Sequence, residues 1–144
     1  MKALIDTCVI MDAIQKRKPF DKDAETIFLA ASGQAFDGFV SAKSMTDIFY
    51  LSHRLSHNNG LSRTILGRIA SIFGILDTDA EDIMYAIASD TSDFEDAVMI
   101  GTAVRERMDC IVTRNPHDYK SSPVQIRTPS EFVKALSEQR SINK

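Results

Sequence analysis

The sequence predicts an α/β fold, a three-layer α/β/α sandwich with a mainly parallel central sheet. Two observations support this prediction. Short apolar runs alternate with longer segments of helical spacing along all 144 residues, which is the pattern of right-handed βαβ units with helices on both faces of a sheet. The first run, Ala3-Leu4-Ile5, contains no polar residue, as expected for a strand that is buried on both faces.

Five short runs are predicted to form the strands. The second run contains Asp37 and Gly38 and is weaker than the first, whereas Cys110-Ile111-Val112-Thr113 is the strongest of the later runs. In chain order, the predicted strands cover residues 3–5, 35–40, 73–76, 110–113 and 124–126, the last at an edge of the sheet.

The intervals between the strands are predicted to be helical, because apolar residues recur there every three or four positions. Local signals define their ends: Lys18-Pro19 and Asn58-Asn59-Gly60 stop helices, and Thr128-Pro129-Ser130-Glu131 combines a capping box with a proline at the first helical position. Further expectations are a helix over about 45–57 with Leu55 on its buried face, a capping box from Thr78 to Glu81, a helix from Asp93 to about Met108, and fraying from Ser137 to Lys144.

Length and composition indicate one domain in residues 1–138 and a polar C-terminal tail in residues 139–144. No run is apolar enough to span a membrane, and the N-terminus has no signal-peptide pattern. The net charge of −3 argues against a broad basic face for nucleic acid, but it is compatible with an enzyme that contacts phosphates through metal ions and a few local cations. Cys8 and Cys110 lack disulfide or metal-ligand spacing, which favours a reducing compartment, the cytoplasm.

Acidic residues occur where parallel sheets bind their ligands, beyond the carboxyl ends of the strands. Asp6 directly follows the first strand, and Asp118 follows the fourth. Asp47 and Asp96 stand at the start of the apolar stripes of two helices, so both are predicted to face the interior, and Asp93 lies one turn before Asp96. Each of these acids alone is as consistent with a helix cap, or with an acid stabilised by the helix dipole, as with a functional site.

Several carboxylates that converge repel one another unless a divalent cation joins them, and oxygen ligands select Mg²⁺ or Mn²⁺ over zinc. Without a Ser–His or Cys–His pair nearby, such a cluster indicates metal-assisted hydrolysis. Thr113 and Asn115 are candidates for orienting a carboxylate or a water molecule, although Asn115 also suits the turn before Pro116. Receiver-type phosphoacceptors and nucleotide-cofactor enzymes fit less well, because the expected lysine and the glycine-rich loop are absent.

Three motifs together resemble the PIN domain: Leu4-Ile5-Asp6-Thr7-Cys8-Val9, Asp93-Phe94-Glu95-Asp96-Ala97 and Ile111-Val112-Thr113-Arg114-Asn115-Pro116-His117-Asp118-Tyr119. The resemblance covers essentially the whole chain, including a similar start of the C-terminal helix at Thr128. It implies a PIN-like fold and a metal-dependent nuclease acting on RNA. Small bacterial members are commonly toxins of the VapC type, which dimerise and are neutralised by an antitoxin that enters the active-site groove.

By this resemblance, Asp6, Asp47 and Asp96 would bind Mg²⁺ or Mn²⁺, Asp118 would be a fourth catalytic acid, and Asp93 an additional acid beside them. Two residues depart from the family pattern. Cys8 replaces the usual Asn and is expected to remove a polar partner of Asp6, while Asp47 replaces the more frequent Glu and has a shorter reach. The expected function is therefore a toxin ribonuclease, and the alternative is a weakly active or inactive PIN-fold protein that binds RNA or protein.

Overall fold

One sheet of five strands organises the computed structural model, which describes all residues from Met1 to Lys144. The strands are Lys2–Ile5 (β1), Asp37–Ser41 (β2), Gly74–Leu76 (β3), Cys110–Val112 (β4) and Gln125–Arg127 (β5). Their order across the sheet is β3-β2-β1-β4-β5, and all neighbours are parallel. The winding direction reverses between β1 and β4, and a reversal of this kind creates a crevice at the carboxyl ends of the two strands.

Seven α-helices and one 3₁₀ turn connect the strands. The helices are Thr7–Gln15 (α1), Asp21–Ser32 (α2), Ala42–Ser56 (α3), Asn59–Ile72 (α4), Ala80–Ala88 (α5), Phe94–Arg105 (α6) and Pro129–Ile142 (α7), and the 3₁₀ turn covers Pro116–Tyr119. None of these helices combines the length and the apolar character needed to cross a lipid bilayer.

Two apolar clusters cover the two faces of the sheet. Ala3 and Ile5 of β1 point into a cluster of 18 buried residues that includes side chains of α1, α2 and α7. Leu4 points to the other face, into a cluster of eight buried residues that includes Ile100 of α6. Because Ala3, Leu4 and Ile5 are all fully buried, the predicted doubly buried first strand and the three-layer α/β/α architecture are confirmed.

Helix α3 begins three residues earlier than predicted, because the hydroxyl of Ser41 caps it by accepting a hydrogen bond from the Ser44 N–H at 3.0 Å. Asp47 consequently lies in the second turn of the helix and not in the first. The assignment of Leu55 to the buried face was wrong: its side chain is 66% exposed. Burial along α3 continues only as far as Ser52, and the last turn is mostly solvent-exposed.

The capping box of α5 also differs from the prediction. It joins Asp79 and Asp82 rather than Thr78 and Glu81. Asp82 stands at the third position of α5 and is 1% exposed. It packs against α6, where the Thr102 hydroxyl donates to its Oδ2. The hydroxyl of Thr78 instead accepts a hydrogen bond from the backbone N–H of Lys43 at 3.3 Å.

At the C-terminus, the predicted capping box of α7 is confirmed, since Thr128 and Glu131 exchange hydrogen bonds with each other's backbone N–H groups. The expected fraying from Ser137 onward is wrong, because the helix continues to Ile142. Polar residues suit this exposed segment, and the hydroxyls of Ser137 and Ser141 bond to carbonyl groups of the preceding turn.

Candidate active site

A cleft of about 370 Å³ opens at the carboxyl edge of the sheet, beside the reversal between β1 and β4. Of the predicted acids, Asp6, Asp47 and Asp96 line it. The cleft therefore brings together carboxylates from the end of β1, from α3 and from the first turn of α6. Glu95 and Lys43 line the same cleft and were not predicted to do so.

Asp6 is held rigidly at the end of β1. Its backbone N–H donates to the Val112 carbonyl of β4 at 2.9 Å, which continues the sheet pairing by one residue. Its Oδ2 atom accepts hydrogen bonds from the Thr113 hydroxyl at 2.7 Å, the Tyr119 hydroxyl at 3.3 Å and the Cys8 thiol at 3.5 Å. Burial nonetheless raises the pKa of the Asp6 carboxyl above its ordinary value, because desolvation disfavours the charged form.

Asp96 faces Asp6 across a shared hydroxyl group. Its Oδ1 accepts a hydrogen bond from the Tyr119 hydroxyl at 3.0 Å. Burial, together with the negative charges of Asp6, Asp93 and Asp118, raises the pKa of Asp96 to about 7. The two carboxylates thus form a pair that carries more negative charge than its surroundings neutralise.

Tyr119 is a third residue of this site, after Lys43 and Glu95, that the sequence did not predict. It is 1% exposed, and its hydroxyl lies within hydrogen-bond distance of both Asp6 and Asp96 and 3.2 Å from Met99 Sδ. A buried tyrosine needs a polar partner for its hydroxyl, and Tyr119 directly follows Asp118 in the sequence. That requirement was the available signal, but it does not identify which partners the fold supplies.

Asp47 lines the opposite part of the cleft and is ion-paired. Lys43 Nζ lies 2.6 Å from Asp47 Oδ2 and 3.1 Å from Glu95 Oε1. Asp47 was predicted to face the interior, but its side chain is 37% exposed and therefore only partly buried. Burial opposes the charged form of Lys43, but the hydrogen bonds to Asp47 and Glu95 prevail and raise its pKa. The spacing of Lys43 and Asp47, four residues apart in one helix, could have revealed their contact.

Asp93 and Asp118 do not line the cleft. Asp93 is exposed and caps α6, where its Oδ1 accepts a hydrogen bond from the Asp96 N–H at 3.0 Å. Asp118 is exposed in the 3₁₀ turn. Both act on the site through charge, since each raises the pKa of Asp96.

The side chains around Asp6 differ from two expectations. Cys8 does not deprive Asp6 of a polar partner, because burial and the negative charge of Asp6 raise the pKa of its thiol to about 12, which keeps it protonated and able to donate. Asn115 lies outside the cleft, and its side chain makes no capping hydrogen bond. Its backbone N–H donates to the Thr113 hydroxyl at 3.1 Å, which supports the hydroxyl that contacts Asp6.

The donor set suits a hard divalent cation at the Asp6–Asp96 pair. No three His, Cys, Asp or Glu side chains converge closely enough to enclose an ion by themselves. Mg²⁺ does not need such a cage, because it keeps several waters and is commonly held by one or two carboxylates together with substrate oxygens. Burial raises the pKa of both carboxyls, and the neighbouring negative charges raise that of Asp96 further; a cation at the pair would oppose both effects.

The PIN-domain family model matches residues 2–117 of the sequence. This chain belongs to the PIN-domain family. The resemblance predicted from the three motifs is thereby confirmed. No curated protein sequence matches the chain.

Solved structures with the same PIN fold occur in toxin–antitoxin complexes. A toxin–antitoxin complex from Klebsiella pneumoniae is similar with 20% identity and a TM-score of 0.65, over 88% of this chain and 97% of that one. VapBC2 from Rickettsia felis, bound to a DNA fragment from its promoter, is similar with 18% identity and a TM-score of 0.66, over 89% of this chain and 98% of that one. FitAcB from Neisseria gonorrhoeae is similar with 19% identity and a TM-score of 0.63, over 89% of this chain and 98% of that one. At these identities the likeness establishes the fold.

Without metal, this PIN domain should lose stability as pH rises from about 4 to 7. Between the ordinary pKa of 3.8 and the folded pKa of about 7, the folded chain keeps a proton on Asp96 that the unfolded chain has released. The unfolded state then binds fewer protons, so the free energy of unfolding falls with increasing pH. We expect a decrease of about 2 kcal/mol, smaller than the full shift would give because the carboxyl retains some solvent contact.

Urea unfolding in EDTA at several pH values measures this decrease, and Asp96→Asn should reduce it, leaving the smaller contribution of Asp6. Asp90→Asn, which removes an exposed carboxylate from the loop before α6, is the matched control. A slope that is identical in Asp96→Asn and in the unaltered protein would contradict the prediction.

Tyr119→Phe should raise the pKa of Asp96 still further. The hydroxyl donates to Asp96 Oδ1 and favours its charged form, and phenylalanine keeps the ring but removes the donor. Carbon-detected NMR titration of the carboxyl groups in metal-free protein measures the change. Tyr85→Phe is the control, since Tyr85 is half-buried and outside the cleft. An unchanged or lower Asp96 pKa in Tyr119→Phe would show that the hydroxyl does not stabilise the carboxylate.

Proposed function

We propose that this PIN domain is a metal-dependent endoribonuclease that hydrolyses RNA phosphodiester bonds with Mg²⁺ or Mn²⁺. The observation that carries the proposal is the Asp6–Asp96 pair, which shares the Tyr119 hydroxyl in a cleft at the carboxyl edge of the sheet. Asp6 and Asp96 would hold the ion. The carboxylate of Asp47 contacts Lys43 rather than the Asp6–Asp96 pair, so its role as a third ligand stays a prediction.

A divalent ion bound at this pair supplies a Lewis acid that polarises the phosphodiester and makes water more acidic. The residues of the chain orient the carboxylates that would hold it. Thr113 and Cys8 donate to Asp6 Oδ2, and the Tyr119 hydroxyl lies between the two acids, where its one proton is shared between them. Outer hydrogen-bond partners of this kind restrict the orientation of metal ligands and raise metal affinity. Asp118 and Asp93 would add negative charge that favours a cation at Asp96.

RNA is the proposed substrate on family grounds, and the charge distribution limits how it binds. With a net charge of −3, the protein has to contact phosphates through the metal and local cations rather than through a broad basic face. The proposed setting is the cytoplasm, where the unpaired thiols of Cys8 and Cys110 remain reduced.

The cleavage experiment uses a pool of single-stranded and structured RNAs with purified protein and Mn²⁺. We expect cleavage that is lost with EDTA and with Asp96→Asn. A folded protein that cuts no RNA at any Mn²⁺ or Mg²⁺ concentration would overturn the proposal. RNA retained by such an inactive protein in a filter-binding assay would favour the alternative, a PIN-fold binding module.

We further propose that the protein is the toxin of a type II toxin–antitoxin pair and forms a homodimer. The similar structure from Klebsiella pneumoniae is a toxin–antitoxin complex, which supports an antitoxin partner here. Induced expression in a bacterial host should arrest growth, and co-expression of the product of an adjacent gene should restore it. Light scattering of the purified protein measures the dimer. Normal growth during expression of active enzyme would contradict the toxin role.

A further inference from the structure

The cleft contains a single cation that the proposed chemistry does not use. Thirteen residues line the cleft, and Lys43 is the only lysine or arginine among them. Four carboxylates line it as well, those of Asp6, Asp47, Glu95 and Asp96. A site that has to accept both a metal ion and a phosphodiester therefore includes one fixed positive charge among four acids.

Lys43 joins two secondary-structure elements across the cleft. Its ammonium group lies 2.6 Å from Asp47 Oδ2 on α3 and 3.1 Å from Glu95 Oε1 on α6. The backbone that carries it is also constrained, because Ser41 caps α3 and the Lys43 N–H donates to the Thr78 hydroxyl. The ammonium group is thus held at a defined position between two carboxylates.

This position is unfavourable for a lysine by local criteria alone. Lys43 lies in the first turn of α3, where the positive end of the helix dipole disfavours a cation. The side chain is only 32% exposed, so it does not simply extend into solvent. Its two carboxylate partners offset these costs, and a residue that violates a local preference inside a cleft is a candidate for a functional role.

The donors divide the four acids into two pairs. Tyr119, a neutral donor, bridges Asp6 and Asp96. Lys43, a cation, bridges Asp47 and Glu95. No three acidic side chains converge on one point. Only the Asp6–Asp96 pair therefore retains negative charge without a cationic partner.

We propose that Lys43 takes the place of a second metal ion, so that the site binds one divalent cation per chain, at Asp6 and Asp96. In two-metal sites the second ion neutralises the remaining carboxylates and supplies additional positive charge near the phosphodiester. Here the ammonium group pairs with Asp47 and Glu95, offsets one of their two negative charges and fixes a positive charge in the cleft. The inference deepens the proposed function and rests on it for the substrate, but the number of bound ions is measured independently of cleavage.

The test counts Mn²⁺ ions bound to purified protein by isothermal titration calorimetry and by the EPR signal of free Mn²⁺. We expect one ion per chain in the unaltered protein and two in Lys43→Met, because loss of the ammonium group frees Asp47 and Glu95. Lys43→Arg keeps the charge and should still bind one ion. Lys134→Met, which removes an exposed lysine on α7, is the matched control and should also bind one.

Two ions in the unaltered protein, one ion in Lys43→Met, or no measurable binding in either would overturn the inference. Lys43→Gln provides a second neutral variant if the methionine variant does not fold, as judged by circular dichroism. RNA cleavage measured on the same samples separates the two proposals. An ion count that rises from one to two in Lys43→Met without any RNA cleavage would support the role of Lys43 and reject the nuclease. Cleavage with an unchanged ion count would support the nuclease and reject the role of Lys43.

Discussion

Asp96→Asn and Asp6→Asn should each reduce RNA cleavage by at least ~100-fold, since even the outer partners of metal ligands are worth roughly 10–100-fold in activity. Either amide would leave a single carboxylate at the Tyr119 hydroxyl, which is too little charge to hold a divalent ion tightly. The side-chain volume is unchanged, and the amide oxygen of Asn can still accept the hydrogen bonds that Asp6 accepts from Thr113 and Asp96 from Tyr119. Cleavage rates at saturating Mn²⁺ measure the loss.

The same two variants should be more stable than the unaltered protein when metal is absent. Each removes one of two half-buried charges that repel each other, for a gain of about 1–2 kcal/mol at pH 7. Thermal unfolding in EDTA measures this gain. A loss of cleavage accompanied by a loss of stability would indicate misfolding, and near-normal cleavage in both variants would show that this pair is not the metal site. Asp90→Asn serves again as the exposed control.

Arg105→Met should destabilise the protein by roughly 3–5 kcal/mol, the cost of removing one partner of a buried ion pair. Asp82 is 1% exposed, and Arg105 Nε donates to its Oδ1 at 2.9 Å. The Thr102 hydroxyl and the Asp79 N–H also donate to Asp82 Oδ2, at 2.8 and 3.1 Å, but these neutral donors offset only part of the cost of burying the charge. The arginine holds the pKa of Asp82 below its ordinary value despite the opposing effect of burial. Without Arg105, this carboxylate would remain buried with no cationic partner.

A double variant distinguishes the cost of leaving the Asp82 charge unpaired from the cost of losing the packing of Arg105. Asp82→Asn combined with Arg105→Met should recover at least about 1 kcal/mol relative to Arg105→Met alone, because no unpaired charge is then buried. Arg68→Met removes an exposed arginine from α4 and is the matched control. Urea unfolding at pH 7 measures all four proteins. A double variant that is no more stable than Arg105→Met would attribute the whole loss to packing.

This ion pair also bears on the active site. Asp82 is in α5 and Arg105 in the last turn of α6, while Asp96 lies in the first turn of the same α6. The pair therefore restrains the helix that carries one of the two central carboxylates. Because the pair lies at the far end of α6, Arg105→Met should affect stability more than Mn²⁺ affinity.

Local patterns in the sequence determined the secondary structure and the position of the central acid. The apolar run before Asp6 is the first strand, the predicted break at Asn58 falls between α3 and α4, and the Thr128 capping box starts α7. These features depend on neighbouring residues, so periodicity, turn chemistry and capping preferences are sufficient to predict them. The placement of Asp6 at the carboxyl edge of a parallel sheet follows from the same patterns.

Tertiary structure decided which side chains meet. The Tyr119 hydroxyl reaches Asp6 and Asp96 from a different part of the chain, and Lys43 reaches Glu95 from another helix. The same packing leaves Leu55 exposed although its spacing fits a buried face. Sequence spacing specifies the faces of one helix or strand, but contacts between elements depend on how those elements pack. For this reason the sequence predicted a cluster of acids, and only the fold divided them into one pair with a neutral donor and one pair with a cation.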